Sequence, residues 1–147
     1  MIRLSQLKGQ RILTRDSAVQ LGSVRRLLID PVAGMIVAAE LEGVIGDDTI
    51  LDWANVASIG PDAVMVESAD VVRGAESEAE KRLLAGELDL DGKLVLNEAG
   101  DALGPLEDLE FDEASGRLAS IHVPGHALPV ERLVALGPDA IIVPLPG

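Results

Sequence analysis

Residues 21–43, LGSVRRLLIDPVAGMIVAAELEG, return as residues 103–125, LGPLEDLEFDEASGRLASIHVPG, at a constant offset of 82. Leu21/Leu103, Gly22/Gly104, Leu27/Leu109, Asp30/Asp112, Gly34/Gly116 and Gly43/Gly125 are identical pairs. A chain that repeats itself must build the same kind of unit twice, so the repeat restricts the fold before any composition is counted. Each copy reads as one β-hairpin: a strand runs to the aspartate, a turn closes at the glycine, and an apolar strand returns. The aspartate side chain accepts from backbone amides two or three residues on, and glycine takes a positive φ at little cost.

The flanks repeat as well. Gly9–Thr14 (GQRILT) corresponds to Gly92–Asn97 (GKLVLN), each followed by a polar turn. Downstream, ILDWANVASIGPDAVMV (50–66) meets ALPVERLVALGPDAIIV (127–143), with the offset reduced to 77 by a shorter loop. The Gly-Pro-Asp-Ala step is a tight turn between two short strands. Trp53–Val56 and Val130–Leu133 read as single helical turns before it. Between the copies, ADVVRGAESEAEKRLLAG (69–86) has helix-forming composition from Ala75, with Glu78 and Arg82 spaced i,i+4 and Gly86 as a stop.

Alternation assigns the faces. Leu109 and Phe111 alternate with Asp108, Glu110 and Asp112, the pattern of a strand with one wet face. The same register in the first copy turns Leu27 and Ile29 inward and Arg26, Leu28 and Asp30 outward. The return strand Met35–Leu41 is nearly all apolar, so it is covered on both faces or uses one for contact.

These residues resemble the PRC-barrel domain family. The matching elements are Gly9–Ile12, Leu21-Gly22-Ser23-Val24, Asp30, Gly34 and Met35–Leu41. In the second copy they are Gly92–Val95, Leu103-Gly104-Pro105-Leu106, Asp112, Gly116 and Arg117–Val123. The resemblance implies an all-β fold of two small PRC-type β-barrels in tandem joined by a short helical linker. Residues 1–68 form the first copy, 69–86 the linker and 87–147 the second. It implies no catalytic residues. The family includes the cytoplasmic domain of the photosynthetic reaction-centre H subunit, the C-terminal domain of a ribosome maturation factor, and proteins linked to sporulation and archaeal cell division. The common thread is adaptor work on other macromolecules.

Charge narrows the partners. The formal net charge of the 147-residue chain is −13. Residues 87–147 hold 12 acidic and 3 basic groups, against 9 and 6 in residues 1–68. Binding to nucleic acid draws on Lys and Arg against phosphates, so direct nucleic-acid binding is disfavoured, as is adhesion to anionic lipid. Cysteine is absent, which excludes disulfides and thiolate metal sites. No apolar run has the length of a membrane span and MIRLSQLKGQR has no apolar leader core, so the expectation is a cytoplasmic protein.

No reactive constellation is legible, and the expectation is a protein with no enzymatic activity, cofactor or metal. His122 and His126 lie four apart near Glu131, but Pro124-Gly125 breaks the strand between them, and a metal needs converging imidazoles. Asp47-Asp48 with Asp52 lacks a base partner or a calcium-loop spacing. The expected function is protein–protein interaction through an apolar face drawn from Leu28, Met35, Val37, Ile45, Ile50 and Trp53, with Trp53 favoured as a core residue. Partners are other proteins or a second copy. The alternatives are a ribosome-associated factor that binds a basic ribosomal protein, and, more weakly, a small-ligand or metal module around His122, His126 and the acidic loops. Arg25 and Arg26 occupy the positions of Glu107 and Asp108, so opposite charges at equivalent sites are candidates for barrel–barrel contact.

Overall fold

In the computed structural model, which describes residues 1–146, the two repeated turns close in the same way. Asp30 Oδ1 accepts from the amides of Val32 and Ala33, each at 3.1 Å, and Asp112 Oδ1 from those of Ala114 and Ser115, each at 2.9 Å. The Gly34 amide donates to Asp30 O and the Gly116 amide to Asp112 O. Both glycines have positive φ, +66° and +75°. The Ser115 amide and hydroxyl and the Ala114 amide hold the Asp112 carboxyl below the usual carboxylate range.

The described chain is mostly β. Its strands are β1 (Ile2–Arg3), β2 (Arg11–Thr14), β3 (Gln20–Asp30), β4 (Met35–Glu42), β5 (Ile50–Asp52), β6 (Val56–Ile59), β7 (Val64–Val66), β8 (Val72–Arg73), β9 (Leu94–Asn97), β10 (Ala102–Pro105), β11 (Asp108–Phe111), β12 (Leu118–Val123), β13 (His126–Pro129), β14 (Ala135–Leu136) and β15 (Ile141–Val143). The helices are short: α1 (Leu4–Leu7), α2 (Glu78–Leu84), and 3-10 turns at Trp53–Asn55 and Ala69–Val71. No helix among the described residues is long and apolar enough to cross a membrane.

The chain divides into two compact units. One contains Gln6–Leu28 and Val37–Ala85. Its seven-stranded sheet has the order β6-β7-β2-β3-β4-β5-β8. Here β2 runs parallel to β7, pairing Ile12 with Val64, and antiparallel to β3, pairing Ile12 with Gly22. Ile12, Val24, Leu41, Ile50, Val64 and Val66 are buried in its core. Val72–Arg73 adds the edge strand beyond β5. Helix α2 starts on a capping box, in which Ser77 Oγ accepts from the Glu80 amide while Glu80 accepts from the Ser77 amide.

The other unit contains Met1–Ser5, Ile29–Ile36 and the residues from Gly86 on. It has two four-stranded sheets, β1-β11-β12-β13 and β10-β9-β15-β14. Within it β9 runs parallel to β15, pairing Val95 with Ile141, and antiparallel to β10, pairing Val95 with Gly104. The Gly-Pro-Asp-Ala turns also agree: the Gly60 amide donates to Ala63 O, and the Gly137 amide to Ala140 O. Phe111, Leu109, Ile121, Leu133 and Ile141 fill the core.

The tip of the first hairpin meets the second hairpin inside this unit. Met35 and Arg117, equivalent residues, form an antiparallel bridge. The Ile36 amide donates to Gly116 O at 2.9 Å and the Leu118 amide to Gly34 O at 2.8 Å. Each bond maps onto the other by the offset of 82, so the contact has a local two-fold axis between Met35 and Arg117.

Two expectations are corrected. Leu28 does not face out: Leu27, Leu28 and Ile29 are all buried. Alternation reports a face only where one face is wet, and this stretch of β3 is covered on both. Val130–Leu133 is not helical. Its amides are taken by distant carbonyls, Val130 N by Ala119 O and Leu133 N by Pro31 O, so they are not left for a helical turn, and the segment is irregular with a bend at Glu131.

Candidate functional site

The hairpin tip also builds a cleft. Pro31–Gly34 lies against the segment after β13: the Leu133 amide donates to Pro31 O at 2.7 Å, and Gly34 is buried with no room for a side chain beside Glu131 and Arg132. Val32 and Ala33 then stand on one side of an open cavity of about 680 Å³. Leu128 to Arg132 and Val143 to Pro146 supply other walls, and Arg117 lies on its edge at the start of the second return strand. The lining is mainly apolar. Val32 is 71% exposed and Leu145 46%, which is unusual for large apolar side chains unless something covers them.

The cations of the cleft stand apart from the others. Most Lys and Arg side chains have a partner: Arg3 with Glu110, Arg15 with Glu67, Arg25 with Glu40, Arg73 with Asp52 and Glu80, Lys93 with two carbonyls. Among the described residues the side chains of Arg117 and Arg132, with that of Arg11, have no hydrogen bond or ion pair. Arg117 and Arg132 are two of the three basic residues in the strongly acidic stretch 87–147, and both line the cleft. The lining also includes one carboxylate, Glu131, which pairs with neither arginine, so the cleft keeps a net positive charge, and an apolar wall with two guanidiniums is complementary to an apolar group that carries carboxylates.

The residues expected to form a partner face separate by burial. Leu28, Ile50 and Trp53 are buried; Met35 is half-buried; Val37 and Ile45 are exposed. Three of the four charged positions, Arg25, Arg26 and Asp108, have side-chain partners outside that set. Arg25 lies 3.7 Å from Glu40 and 4.0 Å from Glu42, and Arg26 lies 3.8 Å from Glu40 and donates to Leu83 O. Glu40 is only 2% exposed, so these arginines neutralise a carboxylate inside the sheet. Asp108 accepts from the Ser5 amide and hydroxyl, and Glu107 is exposed.

The histidines do not converge. His122 Nε2 lies 2.7 Å from Glu110 Oε1, while His126 is exposed beyond the Pro124-Gly125 turn. Asp52 is held by Arg73, and Asp47 and Asp48 are exposed in the loop after β4. Among the described residues no group of three or more His, Asp or Glu side chains is placed to hold a metal ion.

Sequence reasoning missed the cleft because Arg117 and Arg132 share no periodicity. Its one available signal was the scarcity of basic residues after position 86.

Residues 1–72 match the family model of the PRC-barrel domain. No curated protein matches the chain.

Proposed function

We propose that this is a non-catalytic protein-binding module made of two PRC-barrel copies, and that its partner surface is the apolar cleft edged by Arg117 and Arg132. The family match over the first copy supports the first part. So does the recurrence of its pairings in the second: Ile12 with Val64 and Val95 with Ile141, Gly60 with Ala63 and Gly137 with Ala140. The observation that carries the second part is the pair of unpartnered guanidiniums beside exposed apolar side chains in a chain of net charge −13. Such a surface selects a protein segment in which apolar side chains and carboxylates alternate or adjoin. The charges orient and select, and the apolar wall supplies most of the affinity.

The test is capture from a lysate of the source cells on the immobilised full chain and on its Arg117→Glu/Arg132→Glu variant, with quantitative mass spectrometry. Proteins held by the natural chain should be depleted about tenfold or more on the variant, the size expected when a buried contact meets like charge. Equal retention on both would remove the cleft as the partner surface.

A further inference from the structure

The chain itself carries a segment with the chemistry that this cleft selects. The loop after β4 reads Val44-Ile45-Gly46-Asp47-Asp48. Ile45 is fully exposed, the most exposed of the large apolar side chains. Gly46 has φ +93° and open space where a Cβ would be, so the backbone turns at an uncrowded tip. Asp47 and Asp48 are exposed just beyond it. A lone exposed isoleucine is common and implies nothing. Here the isoleucine projects with two carboxylates two and three residues on, and the same molecule has an apolar cleft with two guanidiniums that lack partners.

We infer that the cleft of one copy takes the Val44–Asp48 loop of a second copy, with Ile45 against the apolar wall and Asp47 and Asp48 facing Arg117 and Arg132. This rests on the reading of the cleft as a protein-binding surface and names an occupant for it. The contact joins two different surfaces, so each copy engaged at its cleft still has a free loop. Such a heterologous contact extends into a ring or an open chain of copies and does not stop at a dimer. A single loop in a cleft is a small interface, so the association is weak and concentration-dependent. It would also compete with any other acidic, apolar segment that the cleft takes.

Salt titration is a poor test. Screening weakens the four-charge contact, but it also relieves repulsion between copies that each carry −13. Exchange of charge is clean. Sedimentation equilibrium of the full chain should show a weight-average mass that rises with concentration. Ile45→Asp, Arg117→Glu/Arg132→Glu and Asp47→Lys/Asp48→Lys should each raise the dissociation constant about tenfold or more. An equimolar mixture of the two charge-reversed variants should regain association, because Lys loops then meet Glu clefts and Asp loops meet Arg clefts. Circular dichroism melts would verify that all three variants keep the fold.

A natural chain that stays monomeric at millimolar concentration overturns the inference. So does association that none of the variants changes, or a variant mixture that does not recover. If the chain is monomeric while lysate capture still depends on Arg117 and Arg132, the loop is the wrong occupant and the protein-binding reading stands. If capture is also indifferent to those arginines, both fall.

Discussion

Replacing Gly34 by alanine should cost about 3–5 kcal/mol of stability, the range of severe backbone and packing defects. Two effects add. The residue sits at φ +66°, where a Cβ is disfavoured by roughly 1–2 kcal/mol. The added methyl would also overlap the Glu131 carbonyl oxygen and lie 3.0 Å from Arg132 Cα. Both are backbone atoms, so no side chain can swing aside. Relief requires moving the hairpin tip, which would strain the Leu118 N to Gly34 O and Leu133 N to Pro31 O bonds. The control is Gly125→Ala. Its φ is +79° with nothing within 4 Å of the new Cβ, so only the conformational cost of roughly 1–2 kcal/mol applies. Urea denaturation of both variants measures the difference. Equal losses would mean that the first hairpin does not seat against Glu131 and Arg132, and the cleft would lose the support for its wall.

That seat shows where sequence reasoning stops. The Asp30–Gly34 and Asp112–Gly116 turns were legible because their chemistry is local: a carboxylate and two amides within three residues, and a glycine at positive φ. The helix after Ala75 was legible from signals equally local, its helix-forming composition, the Glu78–Arg82 spacing and the Gly86 stop. Nothing local says that the two hairpin tips bridge at Met35 and Arg117. The repeat makes the two surfaces alike, and a two-fold contact between like surfaces follows only once tertiary packing selects it. Leu28 failed for a related reason. Alternation assumes a wet face, and β3 has none at Leu27–Ile29. Glu40 left a fainter trace. A single acid in the apolar run MIVAAEL, with Arg25-Arg26 on the preceding strand, is the pattern of a buried carboxylate neutralised across a sheet. The partner of those arginines is therefore their neighbour on β4, not the Glu107 and Asp108 positions of the other repeat. The cleft was least legible of all, because it draws on the first hairpin tip, the segment after β13 and the residues after β15.

The second large effect is expected at Arg73, and it should be visible in the pH dependence of stability. Arg73 donates to both oxygens of Glu80, at 2.8 and 2.7 Å, and to both oxygens of Asp52, at 3.1 and 2.7 Å. It thereby joins the edge strand β8, the β5 strand and helix α2. Glu80 is buried and also accepts from the Glu76 and Ser77 amides. The Arg73 bonds, opposed by burial and helped by those amides, lower its pKa from 4.5 to about 2. A depressed carboxylate pKa stabilises the fold above the unfolded value, and the contribution disappears as pH falls through the folded one. Glu80 should therefore supply about 3 kcal/mol at neutral pH, lost between about pH 4.5 and pH 2. Arg73→Ala strands a buried carboxylate and should cost about 3 kcal/mol or more at pH 7. Glu80→Gln keeps the shape and the capping acceptor but not the charge. Its stability should lie below that of the natural chain at pH 7, and the two curves should converge as pH approaches 2, where the Glu80 contribution is lost. Curves that run parallel from pH 7 to pH 2 would show that Glu80 is not ionised against Arg73 in the folded protein.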